Sequence, residues 1–352
     1  MNKPFSYRVG AISGKFRAVT KAHKEYIIQA GTLCERLHIF IVNAGKRYTT
    51  LANTAKAIGK ICLNADICYQ IHMLEHDETH FNGSEVSERW DQQLLALVPD
   101  LEVIFNSKEH YKNKLIKSHL IKLSSLYHHI SVSHFESDYS QFYDYLAEEY
   151  RPYLNSRIVI SGIESTGKST LTKRLAEIFN SGCSEEYGKT YHEKFLGGIH
   201  QVYQPADFVK IGMGQIIQDA QINMTSSRHL FVDTDALVTL FYLHDYHEHV
   251  VFSPYDLDEF HQASSMLEQF IKNSTYDLLI LLAPTVPFVQ DGTRFNEQYE
   301  RRVMLHQRLK KMYQQRHIHY IEITASDYGT RLQEAIKVVR QFEIKKMKEC
   351  LK

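Results

Sequence analysis

The sequence predicts two α/β domains in series, each built on a parallel sheet. Three observations point there. Short apolar runs alternate with helical patterns over the first 105 or so residues, which is the signature of strand–helix–strand units. The alternation stops in a polar stretch, "SHFESDYSQFYDYLAEEYRPYLNSR", where Pro152 interrupts the helical pattern near 151–157. It then restarts with a new apolar strand that runs into a glycine-bearing loop. With 352 residues, the chain is long enough to bury a core in each half.

The elements follow in order. "YRVGAI" reads as the first strand, and a helix starts at about Lys21. "LHIFIV" (37–42) is the second strand, followed by a helix around 50–63. "YQIHML" (69–74), a helix around 87–97 and "LEVIF" (101–105) complete the first set. In the second half, "RIVIS" (157–161) is a strand and "KSTLTKRLAEIFN" (168–180) a helix. "HLFVDTD" (229–235), "YDLLILLAP" (276–284) and "HIHYIEIT" (317–324) read as further strands, and a basic amphipathic helix runs from about Gly329 onward. The expected domains span 1–150 and 157–352.

The sharpest signal is "GIESTGKST" (162–170), which fits G-x-x-x-x-G-K-[ST] directly after a strand and at the start of a helix. Gly162 and Gly167 permit the tight turn that aims successive N–H groups inward, with Glu164, Ser165 and Thr166 between them. The helix N-terminus adds its positive dipole end. Lys168 supplies a mobile charge for the β- and γ-phosphates of ATP. Ser169 supplies a hydroxyl for Mg²⁺, and Thr170 follows it.

Three later features bear on the chemistry. "EEYGKT" follows a short strand and puts Glu186 and Tyr187 at its C-terminal end, where open parallel sheets bind ligands. "FVDTD" is an apolar strand that ends in Asp233 and Asp235. One carboxylate would hold the Mg²⁺ water shell and the other take a substrate hydroxyl, and the plainer reading makes one of them a helix N-cap. "VPFVQDGTRFNEQYERR" (286–302) has the composition of a mobile lid, with Gly292 as pivot, Arg294 for the transferring phosphoryl and Asp291 near the substrate. Arg301 and Arg302 read as surface charges on the helix that follows. The absence of an NKxD-type stretch argues against a GTPase. "HDYHEHVVF" (244–252) has no second ligand cluster and reads as a polar helix end or loop.

Bulk properties exclude other classes. Forty-one basic and forty-one acidic side chains cancel, so neither nucleic acid nor an anionic membrane is an expected partner. With a first strand so near the start of the sequence, no DNA-binding helix-turn-helix is expected ahead of it. No apolar run approaches a membrane span, so no membrane insertion is expected. Five cysteines without a C-x-x-C pair read as reduced thiols, and hence as a cytoplasmic protein.

Near the start, "GKFRAVTKAHKEYI" (14–27) has the outline of a second nucleotide loop running into a helix. Together these strings resemble the bifunctional NadR-type proteins of NAD salvage. Those join a nicotinamide-nucleotide adenylyltransferase domain to a P-loop ribosylnicotinamide kinase domain. The resemblance is close in "ISGIESTGKSTL", "EEYGKTYHEKFLGG", "FVDTD", "FVQDGTRF" and "HYIEI". It implies an N-terminal Rossmann-like, nucleotidyltransferase-type sheet and a C-terminal P-loop kinase sheet. The implied activity is transfer of a phosphoryl group from ATP to the 5′-hydroxyl of nicotinamide riboside. In that reading Lys168, Ser169 and Thr170 serve ATP and Mg²⁺, and Glu186, Tyr187, Asp233 and Asp235 face the nucleoside or metal. Asp291 and Arg294 lie in the lid. The partners are small molecules, and a homo-oligomer is compatible with the sequence. "EEYGKT" departs from the usual string, which has Trp before Glu and Arg after Gly. Lys189 keeps the charge without the bidentate fork.

The first domain departs further. The family loop is G-x-F-x-P-x-[HT]-x-G-H, and Gly14, Phe16, Thr20 and His23 match it. Ala18 replaces the proline and Ala22 the second glycine, where a methyl group obstructs close approach of phosphates. The family's I-S-x-T-x-x-R segment corresponds to "ISVSHFES" (130–137). Ser131 and Ser133 keep hydroxyls there, but Glu136 stands where an arginine would neutralise the triphosphate. At an effective dielectric of about 20, unit charges about 4 Å apart interact by roughly 4 kcal/mol, so this reversal weighs heavily. The expectation is a nucleoside kinase with a degenerate adenylyltransferase domain. A bifunctional enzyme and a nucleotide-sensing regulator are the alternatives.

Overall fold

The computed structural model describes residues 5–43, 48–75, 92–106, 119–127, 139–197, 203–249, 254–288 and 298–350. The chain divides into two compact units, one running to Leu154 and the other from Asn155 to Glu349. Among the described residues no helix is long and apolar enough to cross a membrane.

The first unit is built on β1 (Tyr7–Gly14), β2 (Cys34–Asn43), β3 (Tyr69–Glu75), β4 (Val103–Asn106) and β5 (His119–Lys122). They lie in the order β3-β2-β1-β4-β5 and every pairing is parallel. Leu37 to Val42 are all buried, which is why this strand, His38 apart, reads as a continuous apolar run and not an alternating one. The Lys21–Leu33 and Leu51–Asn64 helices help form the larger core, with Ile27, Ile39, Ile58 and Phe105 inside it. A smaller cluster of Val9, Phe40, Leu94 and Val98 forms a second apolar layer. Thr50 caps the second helix by accepting from Asn53 N at 3.2 Å. β5 was not expected. It is a four-residue strand that, among the described residues, pairs on one side only.

In the second unit β6 (Ser156–Ser161), β7 (Gly182–Ser184), β8 (His229–Asp233), β9 (Leu278–Leu282) and β10 (Ile321–Ile323) form a parallel sheet in the order β10-β9-β6-β8-β7. The fold class is therefore the one the sequence predicts, two parallel α/β sheets. β6 is central, with β8 on one side and β9 on the other, so its C-terminal end is the topological switch point. The Ala236–His249 helix has no apolar stripe to betray it, because Ala236 through Phe241 are buried without a gap. "HDYHEHVVF" opens in the last turns of this helix, as expected of a polar helix end.

Candidate nucleotide site

The site grows from the end of β6. Ser161 is followed by Gly162 at φ 150° and Gly167 at φ 82°, conformations that L side chains rarely adopt. Space forbids a side chain as well. A Cβ on Gly162 would lie 2.9 Å from Leu282 O, and one on Gly167 would lie 2.8 Å from the Tyr328 ring. Ser165 also takes positive φ, at 59°. Gly167 starts the Lys168–Ile178 helix without a side-chain cap, so the helix N-terminus is left to an external acceptor. Lys168 is buried and its Nζ donates to Ile163 O at 3.0 Å, while Thr166 Oγ1 donates to the same oxygen at 2.9 Å. Glu164 N donates to Tyr242 Oη at 2.9 Å. Ser169 and Thr170 are exposed on the first turn.

Strand register brings the first carboxylate here. Ile160 of β6, two residues before Gly162, pairs with Asp233 of β8. Asp233 is 1% exposed, and its Oδ1 accepts from Thr234 Oγ1 at 3.2 Å. Its Oδ2 has no hydrogen-bond partner among the described residues. Burial pushes its pKa up, against the pull of the Lys168 ammonium and the Ser169 hydroxyl. Asp235, two residues on, sits differently. Its Oδ1 accepts from Val238 N at 3.0 Å, so it N-caps the Ala236–His249 helix. Tyr313 Oη lies 3.3 Å from Oδ2 and also donates to Ser161 Oγ or accepts from it at 2.7 Å. Burial raises the Asp235 pKa as well.

Glu186 and Tyr187 follow β7 at the same edge of the sheet and are held by the Pro205–Asn223 helix. Gln215 Oε1 accepts from Tyr187 N at 2.8 Å, and Gln218 Nε2 donates to Glu185 O at 2.7 Å. Behind them, Asp219 accepts from Ser184 Oγ at 2.5 Å, Gln215 Nε2 at 2.8 Å and Arg157 Nη2 at 2.7 Å. Tyr242 and Tyr203 lie within the electrostatic reach of Glu164 and Glu186. Burial first, and then those carboxylates, raise both phenols, Tyr203 to about 12. Sequence reasoning missed the glutamine–aspartate support, because it forms no spaced string.

The reading of Arg302 as a surface charge is overturned. Arg302 is 3% exposed and donates to Ser165 O at 3.2 Å, in the glycine loop itself. Arg301 is partly exposed and pairs with Asp245 at 3.3 Å. A second buried arginine, Arg331, donates to Thr166 O. No local pattern marks either side chain, since both come from helices far along the chain. Asp245, Glu248 and His249 bring ligand atoms within 4.8 Å of one another, but Arg301 and Arg308 already occupy the two carboxylates.

In the first unit, Gly14 ends β1, and Phe16 follows it, buried, at φ 40°. Thr20 and His23 form a reciprocal cap on the Lys21–Leu33 helix, His23 Nδ1 accepting from Thr20 N at 3.1 Å. Burial holds the His23 imidazole down, to about 4, so it is neutral at neutral pH. Arg17 O accepts from Tyr150 Oη at 3.2 Å and Val19 O from Ala147 N at 3.0 Å. Ala18 is fully buried and Ala22 nearly so. Asp291, Gly292, Arg294, Ser131, Ser133 and Glu136 lie outside the described residues.

A family model described as an AAA domain matches residues 157–331. Two proteins named "Trifunctional NAD biosynthesis/regulator protein NadR" align with 95% of this chain and 83% of their own length. The one from Salmonella typhimurium is 23% identical and the one from Escherichia coli 26%. A solved NadR protein in complex with NAD and AMP-PNP superposes with a TM-score of 0.69 at 20% identity, covering 95% of this chain and 96% of that one. A NadR protein in complex with NR gives 0.70 at 19%, covering 96% of each. The chain is thus distantly similar to NadR proteins over nearly its whole length and shares their fold.

Proposed function

We propose that the second unit is an ATP-dependent kinase that phosphorylates nicotinamide riboside to nicotinamide mononucleotide, a step of NAD salvage. The observation that carries this reading is that Lys168 and Ser169 act electrostatically on the buried Asp233, whose Oδ2 has no hydrogen-bond partner among the described residues. A buried carboxylate oxygen left bare is costly unless a cation completes it. The Ser169 hydroxyl and Asp233 fit Mg²⁺, a hard ion that takes oxygen ligands. When bound, Mg²⁺ would neutralise charge on the β- and γ-phosphates.

The chain's own groups do the rest. Backbone N–H groups of Ser165 to Thr170 cradle the polyphosphate, and Lys168 Nζ exchanges Ile163 O for phosphate oxygens. Phosphoryl transfer runs through a loose transition state, so positioning counts for more than a strong base. Glu186 and Tyr187, fixed by Gln215 and Gln218, border the nucleoside. Asp235 orients the site as the cap of the Ala236–His249 helix, through Tyr313 and Ser161. Asp291 and Arg294 are assigned to the lid. The similarity to NadR proteins, one of them solved with NR, supports the choice of nucleoside. Purified protein is expected to convert nicotinamide riboside and ATP to nicotinamide mononucleotide and ADP. No turnover with any pyridine riboside would sink the reading.

The first unit has a nucleotidyltransferase-type sheet, with Thr20 and His23 in place and Ala18 and Ala22 against it. We read it as degenerate. Incubation with nicotinamide mononucleotide and ATP tests this, and NAD formation lost in His23→Ala would show the site to be alive.

A further inference from the structure

Two arginines reach the glycine loop from outside. Arg302 Nη2 donates to Ser165 O at 3.2 Å and Nη1 to Val286 O at 3.3 Å, with its guanidinium 5.6 Å from the centre of the Phe288 ring. Arg331 Nη1 donates to Thr166 O, and its Nη2 reaches Ala283 O at 3.2 Å, Thr285 Oγ1 at 2.9 Å and Ala325 O at 2.7 Å. Arg331 is 1% exposed and ranks among the largest fully buried side chains. All of its hydrogen-bond acceptors are neutral, and among the described residues no carboxylate pairs with it. Burying a cation costs several kcal/mol even after relaxation, and neutral acceptors recover only part of that. The cost shows in its titration. Burial lowers the Arg331 pKa, and Arg302 adds to the lowering, against weaker opposite pulls from Tyr328, Glu334 and Asp327.

Peptide geometry gives this charge a direction. In a trans peptide the C=O and N–H point opposite ways. The Ser165 carbonyl shares its peptide unit with Thr166 N–H, and the Thr166 carbonyl shares its unit with Gly167 N–H. With the oxygens turned out to the arginines, these two N–H groups turn toward the inside of the loop, where phosphate oxygens bind. A guanidinium on the oxygen also polarises the amide and makes the N–H a stronger donor.

We propose that Arg302 and Arg331 are positioning residues of the nucleotide site. They hold and polarise two successive loop peptides from outside, and a polyphosphate bound on the inside balances the charge of Arg331. This rests on reading Gly162 to Thr170 as a phosphate cradle, and not on which nucleoside accepts the phosphoryl group. The same arginines tie the loop to the segment after β9 through Ala283, Thr285 and Val286.

The test is calorimetric titration of the full chain with ATP and with inorganic tripolyphosphate, for wild type, Arg331→Gln, Arg331→Lys, Arg302→Gln and Arg302→Lys. Glutamine keeps a donor and removes the charge, whereas lysine keeps the charge. The glutamine variants are expected to lose affinity for both anions by tenfold or more, with lysine recovering most of the loss. Folded glutamine variants that bind within twofold of wild type would overturn the proposal. So would lysine variants no better than glutamine, which would reduce the arginines to uncharged braces. If one glutamine variant does not fold, the other is decisive. If neither folds, the arginines serve the fold alone and the proposal fails. Wild-type protein that binds neither anion would overturn the phosphate-cradle reading along with it, whereas wild type that binds ATP but phosphorylates no riboside would overturn only the choice of acceptor.

Discussion

Lys168→Ala takes from the loop its mobile cation, and loss of one preorganised donor to a transition state costs about 10²–10³ in kcat. We expect riboside phosphorylation to fall by at least that factor while the fold, followed by circular dichroism, is kept. Gly167→Ala acts on the backbone. At φ 82° a Cβ costs about 1–2 kcal/mol, and here it also meets the Tyr328 ring. Urea unfolding should show that loss, and a neutral result would contradict the geometry. His23 gives a pH prediction. Its folded pKa, about 4, lies below the ordinary 6.5, so the unfolded chain binds a proton that the folded chain refuses. Stability from this group is whole above pH 6.5 and is lost as pH falls toward 4, by up to about 3 kcal/mol. His23→Gln should flatten the pH dependence of the unfolding midpoint in that window. At this scale, the legible residues were those whose spacing encodes a backbone shape: Gly162, Gly167, Lys168 and Ser169. Arg302 and Arg331 were not legible, because an arginine on a helix carries no mark of what its end will reach across the fold.

The Pro205–Asn223 helix shows what an element adds. Through Gln215, Gln218 and Asp219 it fixes Glu185 to Tyr187 and buries the charge of Arg157. Asp219→Ala strands Arg157 in a largely buried position and should cost about 3–5 kcal/mol, measurable by denaturant unfolding. Asp219→Asn keeps the shape and should cost less. The central strands were readable because both of their faces are buried, so they appear as unbroken apolar runs. Among the described residues β5 pairs on one side only, and it offers little signal. "FVDTD" was read as a strand through Asp235. The ladder instead ends at Asp233, because Thr234 turns to φ 73° and Asp235 becomes a cap. That turn separates the two carboxylates the sequence put side by side, leaving one toward the loop and the other toward a helix.

For the molecule as a whole, two parallel sheets follow one another in the chain. Burial pushes the Cys34 and Cys62 thiols up to about 12, whereas Cys68 is exposed. Alkylation of the native protein should therefore mark Cys68 well before the other two. The measurement that tests the central claim most directly is a product-resolved assay of the full chain with ATP, Mg²⁺ and nicotinamide riboside, run beside Asp233→Asn. The account predicts nicotinamide mononucleotide and ADP in equal amounts from the wild type, and a loss of at least 10²-fold in the folded variant. Equal rates in the two proteins, or ATP hydrolysis with no phosphorylated riboside, would contradict it.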